Sequence, residues 1–308
     1  MEPRPKPVLL IHGGAGTISR ATIGEREAAF RQALHKVLAA GGASLAAGAS
    51  ALDVVVAAVA ALEDHPLFNA GHGAVFSCEG RHELDAAVMV SDGMRFGGVT
   101  CTTRTRNPIR AARAVMEHGA HVLLAGEGAD AFSEAQGCAM VDNSHFSTAW
   151  RAEQLAAARA LGTLTLDHGS KMGTVGAVAL DASGGLAAAT STGGMTNKAR
   201  GRVGDSPLCG AGTYCDSNVA VSCTGTGEAF IRLCAGRTVA ARMEYGGESV
   251  AAAAAAVVGA LPGVGGSGGL IAVDRGGGVA CPFNTEGMYR GVARVGGGIA
   301  VDIWEPST

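Results

Sequence analysis

The order in which apolar patterns succeed one another constrains this chain most. "PVLLIHGG" is continuously apolar, as a short buried strand ending in glycines would be, and "REAAFRQALHKVLAAG" puts Ala29, Phe30, Ala33, Leu34, Val37 and Leu38 on one helical face. Gly41-Gly42 is expected to stop that helix. "SALDVVVAAVAALEDH" predicts a second helix, with Ser50 as N-cap and Asp53 in a capping-box position. It is apolar nearly all round and therefore buried. "HELDAAVMV" and "FGGVTCTTRT" read as strands joined by a turn at Asp92-Gly93, followed by helices at "NPIRAARAVMEHG", with Pro108 in the first turn, and "GADAFSEAQG". From Val141 to Met172 the pattern weakens to a connector, helical at "RAEQLAAARAL" and loose through "TLDHGSKM".

The second half restarts with strands: "GTVGAVALD", "LAAATST", "VAVSCTG", "GLIAVDRGGGVACPFN" and "GGIAVDIW". One helix is expected over "GEAFIRLCAGRTVAARMEYG" and another over "ESVAAAAAAVVGAL". Helices come in pairs and strands in hairpins. That order suits an α+β fold of two sheets sandwiched between helix layers, and it does not suit a parallel βαβ repeat.

Several classes are disfavoured. At 308 residues and 47% hydrophobic the chain can bury a sizeable core, and a net charge of -3 with no basic cluster argues against nucleic-acid binding. No uncharged run has the length and apolarity of a membrane span, since "AAAAAAVVGALPGVGGSGGLIAV" is interrupted by Pro262 and glycines. The apolar run Val8 to Ile11 is too short for a signal peptide, so a cytoplasmic protein is expected. Eight cysteines without a C-x-x-C pair read as free, mostly buried thiols rather than a zinc or dithiol site. The 48 glycines, roughly twice the average usage of about 7%, have no collagen period and read as tight turns and close backbone approaches.

Some short motifs fail on context. "GVGGSG" (263–268) follows a helix and precedes a strand, the reverse of a dinucleotide-binding turn, and "GGSGG" (265–269) lacks the strand-to-helix setting of a nucleophile elbow. Both read as connectors. "HGGAGTIS" ends in Ser19 where a third glycine would be needed, and the nine histidines show neither H-E-x-x-H spacing nor a local carboxylate partner.

Other stretches carry chemistry. "TSTGG" (190–194) sets small hydroxylated residues at a strand end. "GRVGDSP" (201–207) puts Arg202 and Asp205 in one turn, either as a solvated ion pair or as a grip on a zwitterion, with Arg202 on a carboxylate and Asp205 on an ammonium. "SCTGTGE" (222–228) offers the Thr224 hydroxyl and a Gly225 N–H to a developing oxyanion. Gly-Thr steps recur at residues 16, 162, 173, 212 and 225, so Thr174 is singled out only by its surroundings. A threonine hydroxyl needs a base, and a residue that begins a chain can use its own α-amine, whose pKa of about 7.7–8.0 leaves much of it neutral near pH 7. That route requires a cut between Gly173 and Thr174, with the loose segment before it as the released tail.

These stretches, together with "HGGAG", "LEDHPLFNAGHG" and "FNTEGMYRG" (283–291), resemble in order the plant-type (type III) L-asparaginase/isoaspartyl peptidase family of N-terminal nucleophile (Ntn) hydrolases, most closely its bacterial members. The resemblance implies a four-layer αββα sandwich spanning residues 1–308 as one domain. It implies autocleavage into chains 1–173 and 174–308, a dimer of such αβ heterodimers, and hydrolysis of β-aspartyl dipeptides and L-asparagine without a catalytic cofactor. Thr174 is then the nucleophile, Thr192 supports its hydroxyl, and Arg202 holds the substrate α-carboxylate. Asp205, helped by the Gly227 carbonyl, holds the α-ammonium, and Thr224 with Gly225 forms the oxyanion hole. Asn69 lies in the loop that supports the nucleophile and substrate. In that loop the resemblance implies a structural Na+ on the main-chain carbonyls of Leu62, Glu63, His65, Phe68, Ala70 and His72.

Two relatives within the superfamily compete. Glycosylasparaginases carry T-N-G where this chain has Thr192-Gly193-Gly194, and Taspase-like proteases lose the aspartate that Asp205 retains. A non-catalytic amino-acid-binding module of the same fold is the alternative from another class. After Gly291, "VARVGGGIAVDIWEPST" has no clear counterpart in the family pattern.

Overall fold

Val8, Leu9, Leu10 and Ile11 are all fully buried, and a strand with no exposed face must be covered on both sides. Leu9 and Ile11 pack with helical residues such as Phe30 and Val54, whereas Val8 and Leu10 pack with residues of a second sheet such as Val221 and Leu270. The computed structural model describes residues 6–18, 20–24, 26–161 and 173–305. Residues 162–172, the loose end of the expected connector and released tail, lie outside the described residues.

The first half holds β1 (Val8–Gly16), α1 (Arg20–Ile23), α2 (Arg26–Ala46), α3 (Ala51–Glu63), β2 (Leu84–Val90), β3 (Phe96–Thr102), α4 (Pro108–His118), β4 (Leu123–Ala125), α5 (Gly126–Ala135) and α6 (Ala149–Ala160). The second half holds β5 (Val175–Leu180), β6 (Leu186–Thr192), β7 (Thr213–Cys215), β8 (Val219–Gly225), α7 (Gly227–Arg232), α8 (Ala235–Gly246), α9 (Val250–Ala260), β9 (Gly268–Asp274), β10 (Val279–Ala280), β11 (Gly287–Arg294) and β12 (Ile299–Asp302). One sheet has the order β12-β11-β1-β5-β6-β2-β3-β4 and the other β10-β9-β8-β7. Pairing is antiparallel throughout except β3 with β4, which α4 connects. Helices α2, α3 and α4 cover the larger sheet, while α8 and α9 cover the smaller. The result is the αββα sandwich of an Ntn hydrolase. Among the described residues no helix is long and apolar enough to cross a membrane.

Small residues set the spacing. In β5 and β6, Val175, Ala177, Ala179, Ala187 and Ala189 face the helices, and Val178, Leu180, Leu186 and Ala188 face the other sheet. Ser50 caps α3 as expected, its hydroxyl accepting the Asp53 N–H at 3.1 Å.

Four sequence expectations need correction. Gly41-Gly42 does not stop α2, which runs on to Ala46. A Cβ at Gly41 would overlap Leu9, so the glycine serves close packing of helix on sheet. The helix ends at Gly48 (φ 88), where the Ala49 N–H bonds back to Ser44 O at 3.0 Å. The single helix expected after Gly227 is two, α7 and α8, divided at Cys234, whose φ of 44 leaves the helical region. β4, β7 and β11 were not foreseen, and β11 lies beside β1 along the whole of that strand. All eight cysteines are free, but only Cys215 and Cys223 are buried, and Cys78, Cys209 and Cys234 are exposed.

Candidate active site

Thr174 stands immediately before β5, on the face turned toward the smaller sheet, because its neighbour Val175 points to the helices. It is only 6% exposed. Its hydroxyl donates to Thr192 Oγ1 at 3.1 Å, and the same Thr192 oxygen accepts the Gly194 N–H at 2.9 Å. Thr192 reaches this position as the last residue of β6, the strand paired with β5.

The opposite wall comes from the smaller sheet. Thr224 is fully buried, and its Oγ1 accepts the Ala15 N–H at 3.3 Å. A Cβ on Gly173 would lie 2.5 Å from that oxygen, so the residue before Thr174 must lack a side chain to make room for Thr224. The "HGGAG" stretch closes over the same bond: Gly14, at φ 112, lies where its Cβ would be 2.6 Å from the Gly173 nitrogen.

Arg202, Asp205 and Gly227 come together. A Cβ on Gly227 would lie 2.9 Å from Arg202 Nη2 and 3.0 Å from Asp205 Oδ1, so a cation and a carboxylate flank one space kept open by glycine. The exposed ion pair between Arg202 and Asp205 is not what forms. Instead Arg202 holds Glu228 through Nε and Nη2, both at 2.9 Å. Asp205 Oδ2 is buried without a hydrogen-bond partner, and burial pushes the carboxyl up to about 7 despite the nearby Arg202.

The loop after α3 braces the end of β6. Asn69 Nδ2 donates to Gly194 O at 2.8 Å, and the Gly193 N–H donates to Asn69 O at 3.0 Å. Glu63 adds a second tie, its Oε1 accepting from Ser191 Oγ at 2.6 Å and from the Ile109 N–H at 3.0 Å. Burial raises the Glu63 carboxyl to about 8. Among the main-chain oxygens, Glu63 O accepts the His72 N–H at 2.7 Å, and Leu62 O and His65 O each accept an N–H at 3.2 Å. A Cβ on Gly71 would lie 2.5 Å from Glu63 O, and one on Gly73 would lie 2.8 Å from Phe68 O. Gly71 and Gly73 thus stand directly against main-chain oxygens of this loop, and uncharged oxygens are the donor type that suits a hard cation. Among the described residues no cluster of His, Cys, Asp and Glu could hold a metal ion.

Three further residues take part. His12, Ser222 and Glu228 were passed over because their partners lie far away along the chain: His12 meets Thr174 O and Ser222 Oγ, and Glu228 meets Arg202. A histidine on the inward face of a fully buried strand was the one available signal.

The comparisons agree with this geometry. The chain is 57% identical over 295 residues to the isoaspartyl peptidase of Salmonella typhimurium, covering 92% of this chain and 94% of that protein. It is 56% identical over 295 residues to the isoaspartyl peptidase of Escherichia coli, covering 92% of each. It is also 38% identical over 294 residues to the isoaspartyl peptidase/L-asparaginase of Homo sapiens, covering 94% of each. The family described as asparaginase matches residues 5–301, and with the threonines, the Arg202–Asp205 turn and the αββα sandwich in place, the chain belongs to that family.

Proposed function

We propose that this protein is a threonine amidohydrolase that cuts itself between Gly173 and Thr174 and then hydrolyses β-aspartyl dipeptides and L-asparagine to L-aspartate. The observation that carries the reading is the convergence of Thr174 and Thr192 from the larger sheet, at 3.1 Å, with Thr224 from the smaller one against Gly173. The isoaspartyl peptidase and isoaspartyl peptidase/L-asparaginase relatives support the same substrate class.

In this reading the free α-amine of Thr174 takes the proton from its own hydroxyl as Oγ1 attacks the side-chain carbonyl of the β-aspartyl group. The oxyanion is met by Thr224 and the Gly225 N–H, and collapse expels ammonia or an amino acid, which leaves with the proton. Water then attacks the aspartyl ester, aspartate departs, and Thr174 regains its hydroxyl. Arg202 fixes the α-carboxylate, and Asp205, whose Oδ1 borders the space beside Gly227, fixes the α-ammonium together with the Gly227 carbonyl. Thr192 orients the nucleophile.

A sodium ion on the carbonyls of Leu62, Glu63, His65, Phe68, Ala70 and His72 would rigidify the loop that braces Gly193 and Gly194, acting on structure alone. The proposal extends to a dimer of cleaved heterodimers in the cytoplasm. The test is the intact mass of protein held at neutral pH, with N-terminal sequencing. Two chains, 1–173 and 174–308, are expected from the wild type and one chain from Thr174→Ala; a cleaved Thr174→Ala product, or hydrolysis by that variant, overturns the assignment.

A further inference from the structure

His12 has no task in the chemistry above, yet it is fully buried between the sheets. It is the last β1 residue paired with β5, opposite Gly176, and β1 bulges directly after it. A Cβ on Gly176 would overlap both the imidazole and Ser222, so the space is kept for this ring. Nδ1 lies 3.0 Å from Thr174 O, and Nε2 lies 2.9 Å from Ser222 Oγ.

The direction of these bonds follows from the carbonyl end. A carbonyl oxygen can only accept, so Nδ1 carries the proton; in a neutral ring Nε2 then accepts from the Ser222 hydroxyl. Ser222 Oγ in turn accepts from Thr190 Oγ1 at 2.8 Å, and Thr190 Oγ1 accepts from Thr213 Oγ1 at 2.7 Å. Thr213 Oγ1 also lies 2.9 Å from Ser206 O, but its one proton is committed to Thr190 in this arrangement. The buried chain therefore runs from the Thr174 carbonyl through His12, Ser222 and Thr190 to Thr213.

What this chain does is set by where the ladders end. β5 pairs with β6 only from Val175 onward and with β1 only from Gly176 onward. Thr174 lies beyond both, and a cut ahead of it would make it a chain terminus, the place where strands fray. We infer that His12 is a positioning residue for the nucleophile, its Nδ1–H clamping the Thr174 carbonyl while the Ser222, Thr190 and Thr213 hydroxyls hold the ring in the tautomer that can do so. The clamp fixes the peptide plane after Thr174 and with it the directions of Oγ1 and of the α-amine. Burial pushes the imidazole down to about 3, so the ring stays a neutral donor at working pH and is not a proton acceptor for the reaction.

This inference rests on Thr174 being the nucleophile, and its test separates the two. Full-length wild type, His12→Ala, His12→Asn, His12→Gln and Ser222→Ala are allowed to mature, and kcat and KM on a β-aspartyl dipeptide are scaled to the amount of N-terminal Thr174. His12→Ala is expected to lower kcat about 100-fold, with KM moving less than about threefold, as for a misplaced reacting group. The amide nitrogen of His12→Asn overlays Nδ1 and restores most of kcat, while that of His12→Gln overlays Nε2 and does not. Ser222→Ala falls between and remains informative if His12→Ala does not mature. Equal recovery by Asn and Gln, or a kcat in His12→Ala or Ser222→Ala equal to wild type, overturns the role of His12 alone. Hydrolysis by wild type lacking an N-terminal Thr174 overturns the nucleophile assignment and the clamp with it.

Discussion

Glu228 holds Arg202 in a two-point grip, Nε and Nη2 each 2.9 Å from a carboxylate oxygen. The guanidinium is thus oriented by a carboxylate before any substrate arrives. Arg202→Lys cannot reproduce the fork, and kcat/KM for a β-aspartyl dipeptide is expected to fall about 100-fold, while cleavage ahead of Thr174 persists. Glu228→Gln leaves Arg202 present but less firmly aimed; because Glu228 is 44% exposed, the expected rise in KM is only about fivefold. Initial-rate kinetics beside intact-mass measurement check both.

Asp205 titrates near 7, not near 4, because burial opposes its charge. Its charged form, the one that can hold an ammonium, is lost as pH falls through about 7. The inhibition constant of the product L-aspartate should therefore weaken by about tenfold per pH unit well below that value, since the ligand's own groups do not titrate between about pH 5 and 7. In Asp205→Asn the dependence should vanish and binding should be weak throughout. Competition assays from pH 5 to 8 provide the check.

Glu63 links pH to stability. In the folded chain its carboxyl keeps its proton up to about 8, against 4.5 for the unconstrained group. The folded state therefore binds more protons across that window, so this group's contribution is complete below 4.5 and declines as pH rises toward 8. Glu63→Gln, which mimics the protonated acid and keeps an acceptor for Ser191, removes that decline. Thermal melting should show the variant gaining on wild type from pH 5 to pH 8.

The carbonyl loop gives a prediction about ions. A cation bound only to the folded loop stabilises by mass action, so Tm should drop on exchange into choline buffer and return on addition of NaCl but not of choline chloride at equal ionic strength. A Tm indifferent to sodium removes the ion from this loop.

Local chemistry made some parts legible in the sequence and hid others. Thr174, Thr192, Arg202, Asp205 and Thr224 lie in short stretches whose residue types already suggest nucleophile, zwitterion grip and oxyanion donor, and the structure brings them to the end of the inter-sheet space. Gly41 misled because a glycine in a helix is the same letter whether it ends the helix or lets Leu9 approach. Cys234 misled because nothing in its neighbourhood announces a φ of 44. β11 escaped because Gly287 and Gly291 dilute its pattern, yet they are needed where Ile18 and Leu38 press close. His12 and Glu228 act through partners 162 and 26 residues away, a distance over which no periodicity reports.

The strand order has a consequence for the life history of the molecule. β1, β2, β3 and β4 precede Gly173, while β5, β6, β11 and β12 follow it, and in the larger sheet the two groups alternate as β12-β11, then β1, then β5-β6, then β2-β3-β4. A chain severed ahead of Thr174 leaves two polypeptides woven through one another, with β1 locked between two strands of the other piece. Such a product must inherit its architecture from the intact precursor, because two separated pieces would have to meet in solution and rethread a central strand. Once melted, the severed form is expected not to return, whereas the uncut Thr174→Ala chain can still refold.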